Sequence, residues 1–141
     1  MTVPGTPRGK ARPRVVRVKG RTRTHTADET VAYEDRVRAA WMQAGRVDLG
    51  DRPLAVKIVA YHARPKSHYR TDGTLSAKGL REFAPMKTPD CDNVTKVVLD
   101  ALNQLAYGDD KQVVRQVFER RWTASGDRER VTVHLATVPA P

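Results

Sequence analysis

Two aspartates one residue apart, Asp90 and Asp92, could bind a metal ion in a chain that is otherwise strongly basic. In an extended segment, residues i and i+2 project to one side, whereas within an α-helix they lie about 200° apart. Asp90 follows Pro89 just before a helical pattern, where extended geometry is expected. The two carboxylates could then hold one hard divalent cation such as Mg²⁺, which is normally coordinated by oxygen ligands and retained waters.

Each acid of this segment also has an ordinary structural interpretation. Either Asp90 or Asp92 could simply cap the helix, since a carboxylate is stabilised at the positive end of the helix dipole. Asp100 could be the intrahelical partner of Lys96, four residues before it. The Gly-Asp-Asp sequence at residues 108–110 is typical of a turn. Single acids therefore leave the structural and the catalytic interpretations open.

The helix that follows this pair is the clearest element in the sequence. Apolar residues recur at helical spacing between residues 94 and 105, which predicts a helix over residues 92–106. On a helical wheel, Asp92, Lys96 and Asn103 lie within about 40° of one another, opposite the apolar stripe. They define an exposed polar edge that could face DNA.

The remaining pattern predicts a single α+β domain, residues 1–141, with one mixed β-sheet and two main helices. A Thr-x-x-Glu capping box at residue 26 predicts a first helix that ends near Gly45. Strands are predicted at residues 54–62, 113–122 and 131–138, the last two as a hairpin. Residues 63–89 lack a clear periodicity and are interpreted as a long functional or mobile loop.

The charge distribution favours a nucleic-acid partner. The chain has 26 Lys and Arg against 16 Asp and Glu, a net charge of +10, which is the balance of a polyanion binder. Much of the excess lies in a basic N-terminal arm, residues 1–25, in which Val15, Val16 and Val18 suggest only a short strand. A basic structural protein would share this charge, so composition alone does not separate a binder from an enzyme. The residues predicted to bind DNA are Lys10, Arg12, Arg14 and Lys66.

Cysteine usage and hydropathy argue against export and membrane insertion. Cys91 is the only cysteine, so no intramolecular disulfide can form, and no Cys/His spacing matches a structural zinc site. We interpret Cys91 as a buried packing residue. The N-terminus lacks the apolar run of a signal peptide, and no apolar stretch is long enough to span a bilayer. A soluble cytoplasmic protein is expected.

The aspartate segment resembles the RusA family of Holliday junction resolvases, which are common in phages and prophages. The residues that carry the resemblance are Asp-x-Asp-Asn at 90–93, Lys96, Asp-Ala-Leu at 100–102 and Asp-Asp at 109–110. Residues 10–14 and 30–34 also resemble the basic N-terminal segment and the first helix of that family. The similarity therefore covers most of the chain, with the loop at 63–87 as the weakest part.

The resemblance implies a Mg²⁺-dependent endonuclease that resolves Holliday junctions and related branched DNA by paired nicks. It implies that Asp90, Asp92 and Asp110 bind the metal, with Mn²⁺ as an alternative to Mg²⁺. Lys96 would be a catalytic lysine. Asn93 would orient a carboxylate or a phosphate, or else cap the helix. The competing functions are a non-catalytic nucleic-acid-binding module, whose acids are caps and turn residues, and an RNA-binding structural protein.

A homodimer is expected, because a resolvase must nick two strands at symmetry-related positions and a two-fold dimer presents two equivalent sites. The predicted helix at 92–106 is about 21 Å long, whereas residues 107–110 reach back at most about 13 Å. Asp110 would then start far from Asp90 of its own chain. Either two such helices pack antiparallel and share their sites, or a shorter helix or a fold-back of the chain allows a site within one chain.

Overall fold

A computed structural model describes most of the chain. The described residues are 1–11, 14–18, 21–25, 28–45 and 47–140, with 14–18 and 21–25 described as backbone strands only. Within these ranges the elements are β1 (Thr2–Pro4), β2 (Arg14–Val18), β3 (Arg21–His25), α1 (Asp28–Gln43), β4 (Leu54–His62), α2 (Ala77–Arg81), α3 (Cys91–Leu102), β5 (Val113–Trp122) and β6 (Arg130–Thr137). The predicted cap at Thr26 lies outside the described residues.

Strand β4 is the centre of the main sheet. Its nine residues are largely apolar and several are β-branched, and its even-numbered residues are all buried, whereas Lys57 on the opposite face is exposed. The strand therefore packs one face against the core and stays partly accessible on the other. It pairs in parallel with β5 and antiparallel with β6, and β1 pairs with the outer edge of β6. The order β1-β6-β4-β5 confirms the predicted α+β fold with one mixed sheet. Because parallel strands need a crossover connection, the chain between β4 and β5 crosses the sheet, and α3 lies in that crossover.

The predicted hairpin between residues 113–122 and 131–138 is wrong. The two strands do run in opposite directions, but β4 lies between them. After β5 the chain continues beside the end of β4, where the Thr123 backbone N–H donates to the His62 carbonyl at 2.8 Å. A turn at residues 125–127 reverses the chain without deciding which strands become neighbours. The buried β4 strand needs a hydrogen-bonding partner on each edge, and β5 and β6 supply them.

The N-terminal residues are more regular than predicted. Val3 is fully buried in β1, and the N-terminal ammonium of Met1 donates to the Val133 carbonyl at 2.8 Å. The backbones of β2 and β3 form a separate antiparallel pair. The first residues of the predicted arm therefore form the edge of the sheet. The predicted loop at 63–89 likewise contains a 3₁₀ turn, Lys66–His68, and the short helix α2.

Helices α1 and α3 pack against each other over the sheet, and their buried faces contribute Val37, Trp41, Val97 and Val98 to the core. Helix α3 ends at Leu102, four residues earlier than predicted. The backbone then turns through Gln104, at φ 59°, and the Tyr107 hydroxyl donates back to the Leu99 carbonyl at 2.8 Å. No helix in the described part of the chain is long and apolar enough to cross a membrane.

Candidate active site

The polar side of α3 and the segment leading into β5 form one open pocket of about 240 Å³. Its lining residues are Asp92, Thr95, Lys96, Leu99, Asp100, Asp110 and Gln116. Three of the four predicted catalytic residues, Asp92, Lys96 and Asp110, therefore meet at one place within a single chain. The early end of α3 and the return of the chain at Tyr107 bring Asp110 to this face.

Helix α3 packs its apolar side chains into the core and places polar side chains at the pocket. Val94, Val97 and Val98 are buried on its apolar face, as the periodicity predicts. Lys96 lies on the opposite face with 62% of its side chain exposed, and its Nζ is 3.7 Å from Asp100 Oδ1. The predicted intrahelical pair of Lys96 and Asp100 is thus confirmed. The contact is long and exposed, so it leaves the Lys96 charge available to a ligand.

The two acids of the Asp-Asp pair have different surroundings. Asp109 caps the 3₁₀ turn Asp110–Gln112, and its Oδ1 accepts from the Lys111 N–H at 2.9 Å. The Gln112 side chain completes a capping box and also donates to the Gly50 carbonyl at 2.7 Å. Asp110 follows the cap and its exposed side chain lines the pocket. The fixed turn leaves the second acid, and not the first, facing the pocket.

Tyr107 is a buried residue close to the carboxylates of this pocket. Burial raises the pKa of its hydroxyl, and the nearby carboxylates of Asp110 and Asp100 raise it further. The tyrosine stays protonated and donates to the Leu99 carbonyl. It therefore anchors the returning chain beneath Asp110 with no charge of its own.

Asp90 precedes the first turn of α3. Its backbone is extended, at φ −67° and ψ 156°, as predicted, and its exposed side chain makes no capping hydrogen bond. The preceding Pro89 carbonyl accepts from Arg120 Nη2 at 2.6 Å, which joins this segment to β5. Asp90 is not among the pocket-lining residues. Cys91 is exposed, so its interpretation as a buried packing residue is wrong.

The pocket offers carboxylate oxygens, which suit a hard cation, but the described residues do not form a complete set of protein ligands around one point. Asp92 and Asp100 are eight residues apart, a rise of about 12 Å along the helix. Among the described residues, no three His, Cys, Asp or Glu side chains lie close enough together to hold a metal ion. Mg²⁺ is commonly bound by only one or two carboxylates together with waters and substrate phosphates. The exposed oxygens of Asp92 and Asp110 fit that mode of binding.

A comparison with protein families tests the resemblance drawn from the sequence. The family model for the endodeoxyribonuclease RusA matches residues 4–136. The chain belongs to the RusA family. Membership confirms the resemblance drawn from the aspartate segment and extends it over nearly the whole chain. It implies a nuclease that resolves Holliday junctions, and RusA nucleases in general depend on divalent metal ions.

One relative among curated proteins is an uncharacterized protein, YqaN, of Bacillus subtilis (strain 168). It is 31% identical to this RusA-family chain over 115 residues, which cover 80% of each protein. The match to the family model includes the loop at 63–89, where the resemblance was weakest.

A charged network behind the RusA-family pocket is a feature that the sequence did not reveal. Lys10 Nζ lies 2.6 Å from Glu34 Oε1 on α1 and 2.8 Å from Asp100 Oδ2 on α3. Arg38 Nη2 adds a contact to Glu34 at 3.3 Å. The three charged groups of Lys10, Glu34 and Asp100 are only 12% to 26% exposed. Sequence reasoning missed the network because its members are 24 and 66 residues apart from one another along the chain.

The network changes the interpretation of Lys10. Burial lowers the pKa of Lys10, but hydrogen bonds to Asp100 and Glu34 outweigh it, so the pKa lies above its ordinary value. The Lys10 backbone N–H also donates to the Asn93 carbonyl at 3.0 Å. Lys10 therefore joins the N-terminal segment to both helices and balances the Asp100 charge. A contact between Lys10 and DNA stays a prediction.

The other predicted DNA contacts are placed differently. Arg12 and the side chain of Arg14 lie outside the described residues. Lys66 is exposed in a 3₁₀ turn beside β5, where it lines a second open pocket with Arg64 and Tyr69. Its position allows a contact with DNA, and that role stays a prediction.

Thr95 also lines the pocket, and the sequence predicts no role for it. It is 3% exposed, and its hydroxyl has no hydrogen-bond partner in the described structure. A buried hydroxyl without a partner is costly, so Thr95 is a candidate to bind whatever occupies the pocket. Threonine at a helical position gives no sequence signal for such a role.

Proposed function

We propose that this RusA-family protein is a Mg²⁺-dependent, structure-selective endonuclease that resolves Holliday junctions and related branched DNA by paired nicks. The pocket that gathers Asp92, Lys96 and Asp110 on the exposed face of α3 carries the proposal. DNA binding alone does not explain it, because exposed carboxylates repel a phosphate backbone and the chain has a net charge of +10. Acids at this position suit the binding of a cation beside a phosphate.

Asp92 and Asp110 would hold the metal from the pocket, together with Asp90 from the adjoining segment. When bound, Mg²⁺ or Mn²⁺ supplies Lewis-acid stabilisation of the charge that develops at a phosphodiester and activates water for attack. Lys96 places a compact positive charge at the same pocket, where it stabilises the scissile phosphate or the leaving oxygen. Asp100 lies 3.7 Å from the Lys96 ammonium and is itself balanced by Lys10.

The alternative is a non-catalytic nucleic-acid-binding module in which these acids serve as caps and turn residues. The local geometry favours catalysis. Asp90 precedes α3 but makes no capping hydrogen bond, and in the Asp-Asp pair it is Asp109 that caps the turn. Asp90 and Asp110 are therefore not explained by the capping interpretation.

We also propose a two-fold homodimer. Paired nicks on a four-way junction need two equivalent sites, which a two-fold dimer supplies. Since Asp92 and Asp110 line one pocket within a chain, each subunit can carry its own site. This arrangement is the simpler of the two that the sequence left open.

The proposal is tested by incubating the purified protein with a synthetic four-way junction and with a linear duplex of the same sequence. With Mg²⁺, we expect paired nicks in the junction and none in the duplex, and chelation should stop the nicking. Asp92→Asn and Asp110→Asn should abolish nicking yet keep junction binding, because each removes a ligand and a negative charge. Asp127→Asn, which removes an exposed acid in the turn between β5 and β6, is the charge-matched control. Junction binding without nicking in any divalent metal would favour the binding module.

A further inference from the structure

A segment before α3 presents large apolar side chains to solvent. Leu80, Phe83 and Met86 are 62%, 81% and 89% exposed. They fall within seven residues of one another, at the end of the predicted loop. Scattered apolar residues need no explanation, but several large ones exposed together indicate an interaction surface. The two most exposed, Phe83 and Met86, are called the apolar platform below.

The backbone under this platform is held firmly. Trp122 Nε1 donates to the Glu82 carbonyl at 2.7 Å, and His68 Nε2 lies 2.8 Å from Glu82 Oε2. The buried His68 ring also meets Trp122 edge to face, with ring centroids 5.4 Å apart. Gly79 packs so closely on His68 that an added Cβ would lie 2.3 Å from the His68 carbonyl oxygen. The backbone next to Phe83 is therefore held in place by these contacts. Phe83 is exposed although the segment that carries it is well ordered.

The charge around the platform suits an anionic partner. Lys78, Arg81 and Lys87 are all exposed on the same segment. Arg64 and Lys87 also lie over the Trp122 ring, 5.6 and 5.9 Å from its centroid. An apolar surface on a segment that carries three exposed cations fits nucleic acid better than it fits a second copy of this chain, because a self-contact would bring these like charges together.

The platform also lies close to the catalytic segment. Met86 precedes Asp90 by four residues, so their Cα atoms are at most about 14 Å apart. That distance corresponds to about four nucleotides at 3.4 Å per step. A nucleotide on the platform and a phosphate near Asp90 could therefore belong to the same short stretch of one strand.

We propose that Phe83 and Met86 form a stacking surface for nucleobases that lose their stacking partners at the branch point of a four-way junction. The inference rests on the proposed function. Bases within a duplex are covered on both faces, whereas strand exchange at a branch point interrupts the stack. Every base has a π-face that can stack on an aromatic side chain, so this recognition does not depend on sequence. The platform selects branched DNA, and the basic surface binds DNA of any shape.

The test compares the affinities of the full-length protein for a four-way junction and for a linear duplex of the same sequence, in chelator so that no cutting occurs. Phe83→Ala should weaken junction binding roughly 10- to 100-fold, the usual loss for one base-stacking residue. Duplex affinity should change less than about twofold, since phosphate contacts are untouched. Phe83→Trp should restore junction binding. Val47→Ala, which shortens a side chain that is 56% exposed elsewhere, is the matched control.

The outcomes separate this inference from the proposed function. If Phe83→Ala and the double variant Phe83→Ala/Met86→Ala bind and nick the junction like the wild type, the stacking surface is refuted while the nuclease stands. If both DNA forms lose affinity equally, the platform is a general contact and the inference is also refuted. A loss of self-association in sedimentation, with junction affinity unchanged, would assign the platform to a second copy instead. A wild-type protein that shows no preference for the junction would overturn both proposals.

Discussion

Replacing Lys10 with Met is the sharpest test of the network behind the pocket. The change keeps an apolar stem but removes the ammonium that contacts Glu34 at 2.6 Å and Asp100 at 2.8 Å. Removing one partner of a fully buried pair costs about 3 to 5 kcal/mol, and losing an exposed pair costs about 0 to 1 kcal/mol. These side chains are 12% to 26% exposed, and each acid keeps a second cation, Arg38 or Lys96. We expect a loss of about 2 kcal/mol, between the two limits.

Thermal unfolding measures this loss directly. For a domain of this size, about 2 kcal/mol corresponds to a Tm lower by roughly 6 to 10 °C. Lys66→Met is the matched control, because the exposed Lys66 has no ion pair in the described structure and its loss should change stability by less than about 0.5 kcal/mol. Glu34→Gln combined with Lys10→Met should destabilise less than the two single changes added together, since the single changes disrupt the same pair.

The same variant separates a structural Lys10 from one that contacts DNA. Loss of a phosphate contact would leave the Tm unchanged and reduce the slope of log affinity against log salt by about one. A Lys10→Met protein that melts like the wild type and shows this reduced slope would refute the network's role in stability. It would support the original prediction that Lys10 binds DNA.

Three further predictions concern the pocket and the fold. Lys96→Ala should slow single-turnover nicking by about 100- to 1,000-fold and leave junction affinity within a few-fold, whereas normal nicking would remove Lys96 from the site. Mixed Asp92→Asn and Asp110→Asn subunits should recover no nicking, because both acids line one pocket within a chain, and recovered nicking would show a site shared between subunits. Burial raises the pKa of Glu129, but hydrogen bonds from Thr6 and a backbone N–H, with nearby positive charge, outweigh it, so the pKa lies below its ordinary value of 4.5. The contribution of Glu129 to stability is thus present above pH 4.5 and is lost as the pH falls through the lowered pKa. Glu129→Gln should therefore weaken the dependence of Tm on pH in that range. An unchanged pH profile of Tm would contradict this prediction.

Local patterns predicted the bounds of several elements well. Strands β4 and β5 run over the predicted residues, Leu54–His62 and Val113–Trp122, although β4 is largely buried and β5 is largely exposed. The apolar stripe of α3 also placed Asp92 and Lys96 on an exposed edge. These features follow from side-chain periodicity, which is a property of neighbouring residues.

The errors arise where distant residues decide the structure. The order of β4, β5 and β6 depends on which strands form backbone hydrogen bonds with the two edges of β4. The sequence of a turn does not determine which strands become those neighbours. Helix α3 ends early because Tyr107 returns to the Leu99 carbonyl, although Leu105 continues the helical periodicity. The salt bridges of Lys10 likewise depend on the packing of three separate segments.

The charges in and behind the pocket explain why binding and cutting should be separable. Three carboxylates, of Asp92, Asp100 and Asp110, line the pocket with one ammonium group, of Lys96, which leaves two negative charges among the lining residues. Without a divalent cation this pocket repels a phosphate, and a divalent cation neutralises its lining charge. General attraction to DNA must then come from basic residues elsewhere, such as Lys66. Chelation should accordingly stop nicking while junction affinity persists, and a parallel loss of both would mean that the pocket itself provides most of the attraction for DNA.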